Sequence, residues 1–66
     1  MCDKDIADKE VAKAILSGPL TASELVTAVR NTYTEASSFD VQEAAWRLIE
    51  RDQAELTADL KLQKIG

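Results

Sequence analysis

The sequence predicts a mainly α-helical fold that ends in a small β-hairpin. Three successive segments place apolar residues at the three- and four-residue spacing of an amphipathic helix, each after a capping signal. Beyond Asp52 the apolar residues fall at every second position, which is the spacing of a strand. A chain of 66 residues has room for one domain only, so we expect these elements to share a single core.

The first helix is predicted over residues 5–17. Asp5 is a suitable N-cap and Asp8 follows three residues later, in the first turn. We expect the helix to end before Pro19, because Gly18 accepts a left-handed conformation and proline cannot continue a helix. The apolar face is formed by Ala7, Val11, Ala14 and Ile15.

The second helix is predicted over residues 21–33. Thr21 and Glu24 have the spacing of a capping box, and Leu20 and Leu25 have that of its hydrophobic staple. The following residues, 34–38, are small and polar and suit a connecting loop. The inner face is expected to contain Leu25, Ala28, Val29 and Thr32, and the solvent face Thr27, Arg30 and Asn31.

The third helix is predicted over residues 40–51 and has the strongest pattern. Phe39, Asp40 and Glu43 repeat the arrangement of staple and capping box. We also expect Tyr33 and Phe39, which flank the loop, to close the core, because large aromatic side chains are usually buried. The apolar face contains Val41, Ala44, Ala45, Leu48 and Ile49.

A hairpin is predicted over residues 55–65. Leu56, Leu60 and Leu62 share one parity, which indicates strands with one buried face. A tight turn at Ala58 and Asp59 would fold residues 55–57 against residues 60–65. The absence of glycine from this turn leaves its type open.

Composition excludes several classes of protein. The chain is 45% hydrophobic and 30% charged, with a formal net charge of −4, which is typical of a folded globular domain. No apolar run approaches the length of a membrane span, and the acidic N-terminus is unlike a signal peptide. We therefore expect a cytoplasmic protein without membrane association. With no disulfide or metal staple, a small fold of this kind can gain stability as a homodimer.

Catalysis has little support in the sequence. There is no histidine to activate a nucleophile, and Cys2, the only cysteine, lies at an end expected to be frayed. Glu43 and Glu50 fall on the exposed helix face, where carboxylates ordinarily serve solubility. The two glycines, Gly18 and Gly66, cannot form a phosphate-binding loop. We expect a non-enzymatic protein with no catalytic residue, metal site or cofactor.

The order helix, turn, helix, loop, helix and hairpin resembles that of the winged helix-turn-helix superfamily. Residues 18–25 resemble its first strand and the start of its second helix. Residues 41–49 resemble its third helix, and residues 55–62 resemble its wing. One departure is that many members have glycine after the third helix, where this chain has Asp52 and Gln53. Aspartate accepts a positive φ at some cost, which leaves the fold possible.

The resemblance implies a small DNA-binding transcription regulator of bacterial or phage type. Members of the superfamily commonly lay the third helix in the major groove and touch the backbone with the wing. The residues implied to contact duplex DNA are Ser37, Ser38, Gln42, Arg47, Arg51, Lys61 and Lys64. Against this, residues 1–36 and 37–66 each carry six acids and four bases, so neither half is basic.

The alternative is a module that binds a protein through Trp46. At about 100° per residue, Trp46 falls off the apolar face of the third helix and is expected to be partly exposed. Gln42, Trp46 and Glu50 are spaced by four residues and form a ridge with one large aromatic anchor. In a third interpretation the indole ring only fills the core by folding against the wing or the first helix.

Overall fold

The computed structural model describes residues 3–65, which form three α-helices and a three-stranded antiparallel sheet. The predicted mainly α-helical fold with a small β-hairpin is confirmed. We call the β2–β3 hairpin the wing. The elements are α1 (Lys4–Ala14) with a 3₁₀ turn (Ile15–Ser17), β1 (Leu20–Thr21), α2 (Ala22–Thr32), α3 (Ser38–Glu50), β2 (Ala54–Leu56) and β3 (Lys61–Lys64).

The central strand of the sheet is β3. Leu62 pairs with Leu20 of β1 on one side and with Leu56 of β2 on the other. Strand β1 thus ties the wing to the connection between α1 and α2, which fixes the position of the wing relative to the helices. Strand β2 lies one residue earlier than predicted, and β3 is shorter than the predicted residues 60–65, because residues 57–60 form the turn.

The core lies between the three helices and the sheet. It is formed by Ala7, Val11, Ile15, Leu25, Val29, Ala36, Val41, Ala44, Leu48, Ala54 and Leu62. The faces predicted for α1 and α3 are confirmed, with Ala14, Ala45 and Ile49 partly buried against this core. The inner face predicted for α2 holds at Leu25 and Val29 but is wrong at Thr32, which is exposed in the last turn of that helix.

Helix α1 begins earlier than its sequence pattern suggested. The N-cap is Asp3, whose Oδ1 accepts a hydrogen bond of 2.9 Å from the backbone N–H of Asp5. The prediction of Asp5 as the cap is therefore wrong, and Asp8 lies too far into the helix to serve the first turn. The predicted end is confirmed. Gly18 has φ 142° and ψ 172°, a combination that side-chain-bearing residues rarely adopt and that is more extended than the left-handed conformation expected.

The start of α3 also differs from the prediction. Ser37 is the N-cap, and its capping box is completed by Asp40, whose Oδ2 accepts from the N–H of Ser37 at 2.9 Å. The predicted box of Asp40 with Glu43 is wrong because it was placed almost one turn too late. The two turns offered similar cap residues, and only the path of the incoming loop distinguishes them.

The two aromatic residues that flank this loop behave differently. Phe39 is 66% exposed, so the prediction that it closes the core is wrong. Ala36, in the same loop, is buried in the core instead. Tyr33 is half-buried and packs against the core, and its hydroxyl oxygen accepts a hydrogen bond of 2.7 Å from the N–H of Asp3.

Helix α3 ends in a Schellman motif. The N–H of Gln53 donates to the carbonyl of Leu48 at 2.9 Å, and the N–H of Asp52 donates to that of Ile49 at 3.1 Å. Asp52 has φ 58°, so an aspartate does adopt the left-handed conformation at this corner. The wing therefore leaves α3 through an aspartate, without a glycine at this corner.

The wing turn is a three-residue loop. The N–H of Leu60 donates to the carbonyl of Thr57 at 3.0 Å, and the N–H of Thr57 donates to that of Lys61 at 2.8 Å. Leu60 has φ 61°, the left-handed conformation that such a loop requires at its third residue. Glycine usually occupies this position, so a leucine here is unusual.

Candidate functional site

An apolar groove runs along α3 beside the wing. We define this wing groove by six of its lining residues: Leu20, Leu25, Trp46, Ile49, Leu56 and Leu60. Its volume is about 300 Å³, and Gln42 at its edge is the one polar residue that lines it among residues 3–65. The capping box of α2 and the strand β1 place Leu20 and Leu25, while the wing turn places Leu60.

Three large apolar side chains of the wing groove are exposed to solvent. Trp46 is 58% exposed, Leu60 72% and Leu56 47%. The expectation that Trp46 is partly exposed is confirmed, and so it does not simply complete the core. Single exposed apolar residues are common on protein surfaces, but three that surround one concave groove are typical of a binding surface.

Leu60 supports this interpretation, because folding alone does not favour a leucine at this position. A left-handed conformation costs a residue with a side chain about 1–2 kcal/mol relative to the right-handed region, and glycine avoids that cost. The side chain of Leu60 is largely in solvent, so core packing offers little compensation. An apolar side chain at a strained and exposed position indicates a role outside the fold.

Arg47 of α3 and Arg51, the C-cap of that helix, turn away from the wing groove towards α1. The Nη2 of Arg47 lies 2.7 Å from Oδ1 of Asp8, and the Nη1 of Arg51 lies 3.4 Å from Oδ2 of the same carboxylate. The side chain of Arg47, which the resemblance implied to contact duplex DNA, is only 24% exposed. Asp8 is 8% exposed, and a carboxylate buried to this degree requires a cationic partner.

Sequence reasoning missed the role of Asp8, although a signal was present. Asp8 follows the buried Ala7 and precedes the buried Val11 by three residues, which places it on the inner edge of α1. An acid on that edge predicts a basic partner on the neighbouring helix. Which helix supplies the partner depends on the packing of α1 against α3.

The other residues predicted to bind nucleic acid are spread over several surfaces. The hydroxyl of Ser37 accepts from the N–H of Asp40 and donates to its carboxylate, so it is engaged in the cap and stands beside a negative charge. Ser38 is exposed in the first turn of α3. Lys61 and Lys64 are three residues apart on β3 and therefore lie on opposite faces of the strand.

The charge near the wing groove is mainly acidic. Glu43 and Glu50 lie three residues before and four residues after Trp46, on the same side of α3, and both are exposed. Asp59 precedes Leu60 in the wing turn. Lys61 directly follows Leu60, and its charge acts on Glu24. Hydrogen bonds with the backbone and the hydroxyl of Thr21, aided by Lys61, lower the pKa of Glu24.

Residues 3–65 contain neither a cluster of metal-binding side chains nor a helix that could span a membrane. Residues 3–65 contain no group of three or more cysteine, aspartate or glutamate side chains that could hold a metal ion. Across the same residues, every helix falls short of the length and apolar character needed to cross a bilayer. Cys2 and Gly66 lie outside the described residues.

A scan of family models found no match, and searches of curated proteins and of solved structures found no significant match.

Proposed function

We propose that this chain is a cytoplasmic, non-enzymatic winged-helix module that binds a protein partner through the wing groove. The observation that carries the proposal is the exposure of Trp46, Leu56 and Leu60 around one apolar groove. Gln42 and Glu50, the other two members of the predicted ridge, are also exposed and would supply a polar rim to the contact.

Trp46 gives the wing groove an anchor of the type that contributes most to the free energy of protein–protein binding. Tryptophan is the residue most typical of binding hot spots, and truncation of such an anchor costs 2 kcal/mol or more of binding free energy. The partner most compatible with this groove presents apolar side chains flanked by bases, because the exposed acids Glu43, Glu50 and Asp59 directly follow or precede lining residues in the chain.

Duplex DNA is the second candidate. The element order favours it, since it resembles that of proteins that lay a third helix in the major groove. The charges oppose it. Arg47 and Arg51 are bound to Asp8, and the side of α3 that carries Trp46 also carries Glu43 and Glu50, which would repel the phosphates.

The proposal is tested by photo-crosslinking inside the cells that produce the protein. A photo-reactive amino acid replaces Gln42, which lines the wing groove, and in a matched control it replaces Arg30 on the exposed face of α2. We expect a protein adduct from position 42, none from position 30, and loss of the adduct when Trp46→Ala is added. Absence of any protein adduct from position 42 would overturn the proposal.

A titration with duplex DNA at low salt separates the two candidates. The protein-binding proposal predicts that the chain does not bind duplex DNA more tightly as the salt concentration is lowered. A duplex affinity that falls steeply with salt, and that Gln42→Ala weakens while Trp46→Ala leaves it unchanged, would replace this proposal by the DNA-binding one.

A further inference from the structure

A second groove lies between α1, its 3₁₀ turn and the end of β3. We define this lysine groove by Lys9, Lys13, Leu16, Leu48, Lys64 and Ile65, and its volume is about 580 Å³. It shares no lining residue with the wing groove. Leu16 is 62% exposed and Ile65 40%, so its apolar floor is open to solvent.

The lysine groove is lined by bases, whereas the charged residues closest in the chain to the lining of the wing groove are mainly acids. Lys9, Lys13 and Lys64 border the lysine groove, and Asp52 is the one acid that lines it among the described residues. Both ion pairs between described residues are made by Asp8. The three ammonium groups therefore have no carboxylate partner within residues 3–65 and remain available to an acidic surface.

The two grooves are complementary. One presents Trp46 and Leu60 among acids, and the other presents an open apolar floor among bases. We infer that the partner of the wing groove is a second copy of this chain, whose lysine groove receives Trp46 and Leu60. This inference rests on the proposed function, and it identifies the partner.

The charges also select how the copies meet. In a two-fold symmetric dimer through the wing groove, Glu43 and Glu50 of one copy would face the same acids of the other, which is repulsive. A head-to-tail contact instead places these acids against Lys9, Lys13 and Lys64. Such a contact leaves one groove of each kind free at the ends, so further copies can add until a ring closes or a filament grows.

The size of the chain limits the strength of this contact. The protein exposes 4399 Å², so a face of typical interface size, about 800 Å², is near a fifth of its surface. Each head-to-tail contact is therefore expected to lie at the small end of the range and to depend on concentration. Because lysines and glutamates form its rim, added salt should weaken it.

Sedimentation velocity of two variants and their mixture tests the inference. Trp46→Ala removes the anchor, and the double variant Lys13→Glu/Lys64→Glu reverses the charge of the lysine groove. Arg30→Glu, which changes charge on the exposed face of α2, is the matched control. All of these side chains except that of Trp46 are charged and exposed, and circular dichroism confirms that each variant remains folded.

We expect the native chain and Arg30→Glu to form species larger than a dimer as concentration rises. Each groove variant alone should be monomeric or associate at least about tenfold more weakly. An equimolar mixture of the two groove variants should form a one-to-one dimer and nothing larger, because only one intact contact can form between them.

Two results would overturn the inference. One is a native chain that stays monomeric up to about 1 mM. A dissociation constant of that size corresponds to a binding free energy of only about −4 kcal/mol. The other is association that the lysine variant leaves unchanged. The adduct from position 42 separates the two proposals. If it contains a different protein, only the inference of self-association is overturned. If no protein adduct forms, the proposed function is overturned as well.

Discussion

Arg47 holds the carboxylate of Asp8 with two of its nitrogen atoms, at 2.7 Å from Nη2 and 2.9 Å from Nε. The pair joins residues 39 positions apart and fastens α3 to α1. It also turns a guanidinium away from the side of α3 that carries Trp46. The same contact thus contributes to the fold and to the acidic character of the wing groove.

Asp8→Asn should lower the free energy of unfolding by about 2 kcal/mol. An exposed ion pair contributes about 0–1 kcal/mol and loss of one partner of a buried pair costs about 3–5, and this pair is partly buried. Urea denaturation monitored by Trp46 fluorescence gives the value. Glu35→Gln, in the exposed loop, serves as the control and should change it by less than about 0.5 kcal/mol. An equal effect of the two substitutions would show that the pair contributes nothing specific.

Ser37→Ala should destabilise the protein by about 1 kcal/mol, whereas Ser38→Ala should change its stability by less than about 0.5 kcal/mol. The hydroxyl of Ser37 accepts from the N–H of Asp40, and the neighbouring Ser38 makes no such cap. Thermal denaturation of the two variants compares identical substitutions at adjacent positions. If Ser38→Ala proved the more damaging, α3 would begin one residue later than the structure shows.

Leu60→Gly should raise the free energy of unfolding by up to about 1 kcal/mol while weakening partner binding. Glycine removes the cost of the positive φ, and the side chain lost is mostly in solvent. Ala58→Gly, at a turn position without a positive φ, should instead destabilise. Denaturation and the adduct yield from position 42 measure the two effects. A destabilised Leu60→Gly would mean that the leucine serves the fold.

The Thr21–Glu24 capping box should make stability depend on pH. The pKa of Glu24 is lowered in the folded state, so its contribution is complete at neutral pH and is lost as the pH falls through that lowered pKa. The native chain should therefore exceed Glu24→Gln in stability at neutral pH but approach it at an acidic pH below that lowered pKa. Denaturation at both pH values checks this, and a constant difference would contradict it.

Sequence reasoning identified the elements well, because helix and strand periodicities are local properties. The inner faces of α1 and α3, the Thr21–Glu24 box and the end of α1 at Gly18 were all predicted correctly. It failed where two neighbouring residues could cap the same helix, as at Asp3 or Asp5. Both choices satisfy the same local rule, and the difference lies in where the preceding chain runs.

The candidate site was less accessible to sequence reasoning. Helical geometry alone predicted that Trp46 leaves the apolar face of α3. It could not show that Leu56 and Leu60 come to the same groove, since that depends on the pairing of β3 with both β1 and β2. Sequence reasoning also did not predict the ion pair of Arg47 with Asp8, because that pair depends on how α1 packs against α3.

The sequence by itself determined three helices, a wing and the acidic balance of the chain, because these depend on spacing, capping and composition. Tertiary structure decided which charges remain exposed and which apolar residues meet. Asp8 forms ion pairs with Arg47 and Arg51 because α1 packs against α3. The wing turn places Leu60 in the groove beside Trp46. Contacts between residues far apart in the chain are set by packing, and no local pattern encodes them.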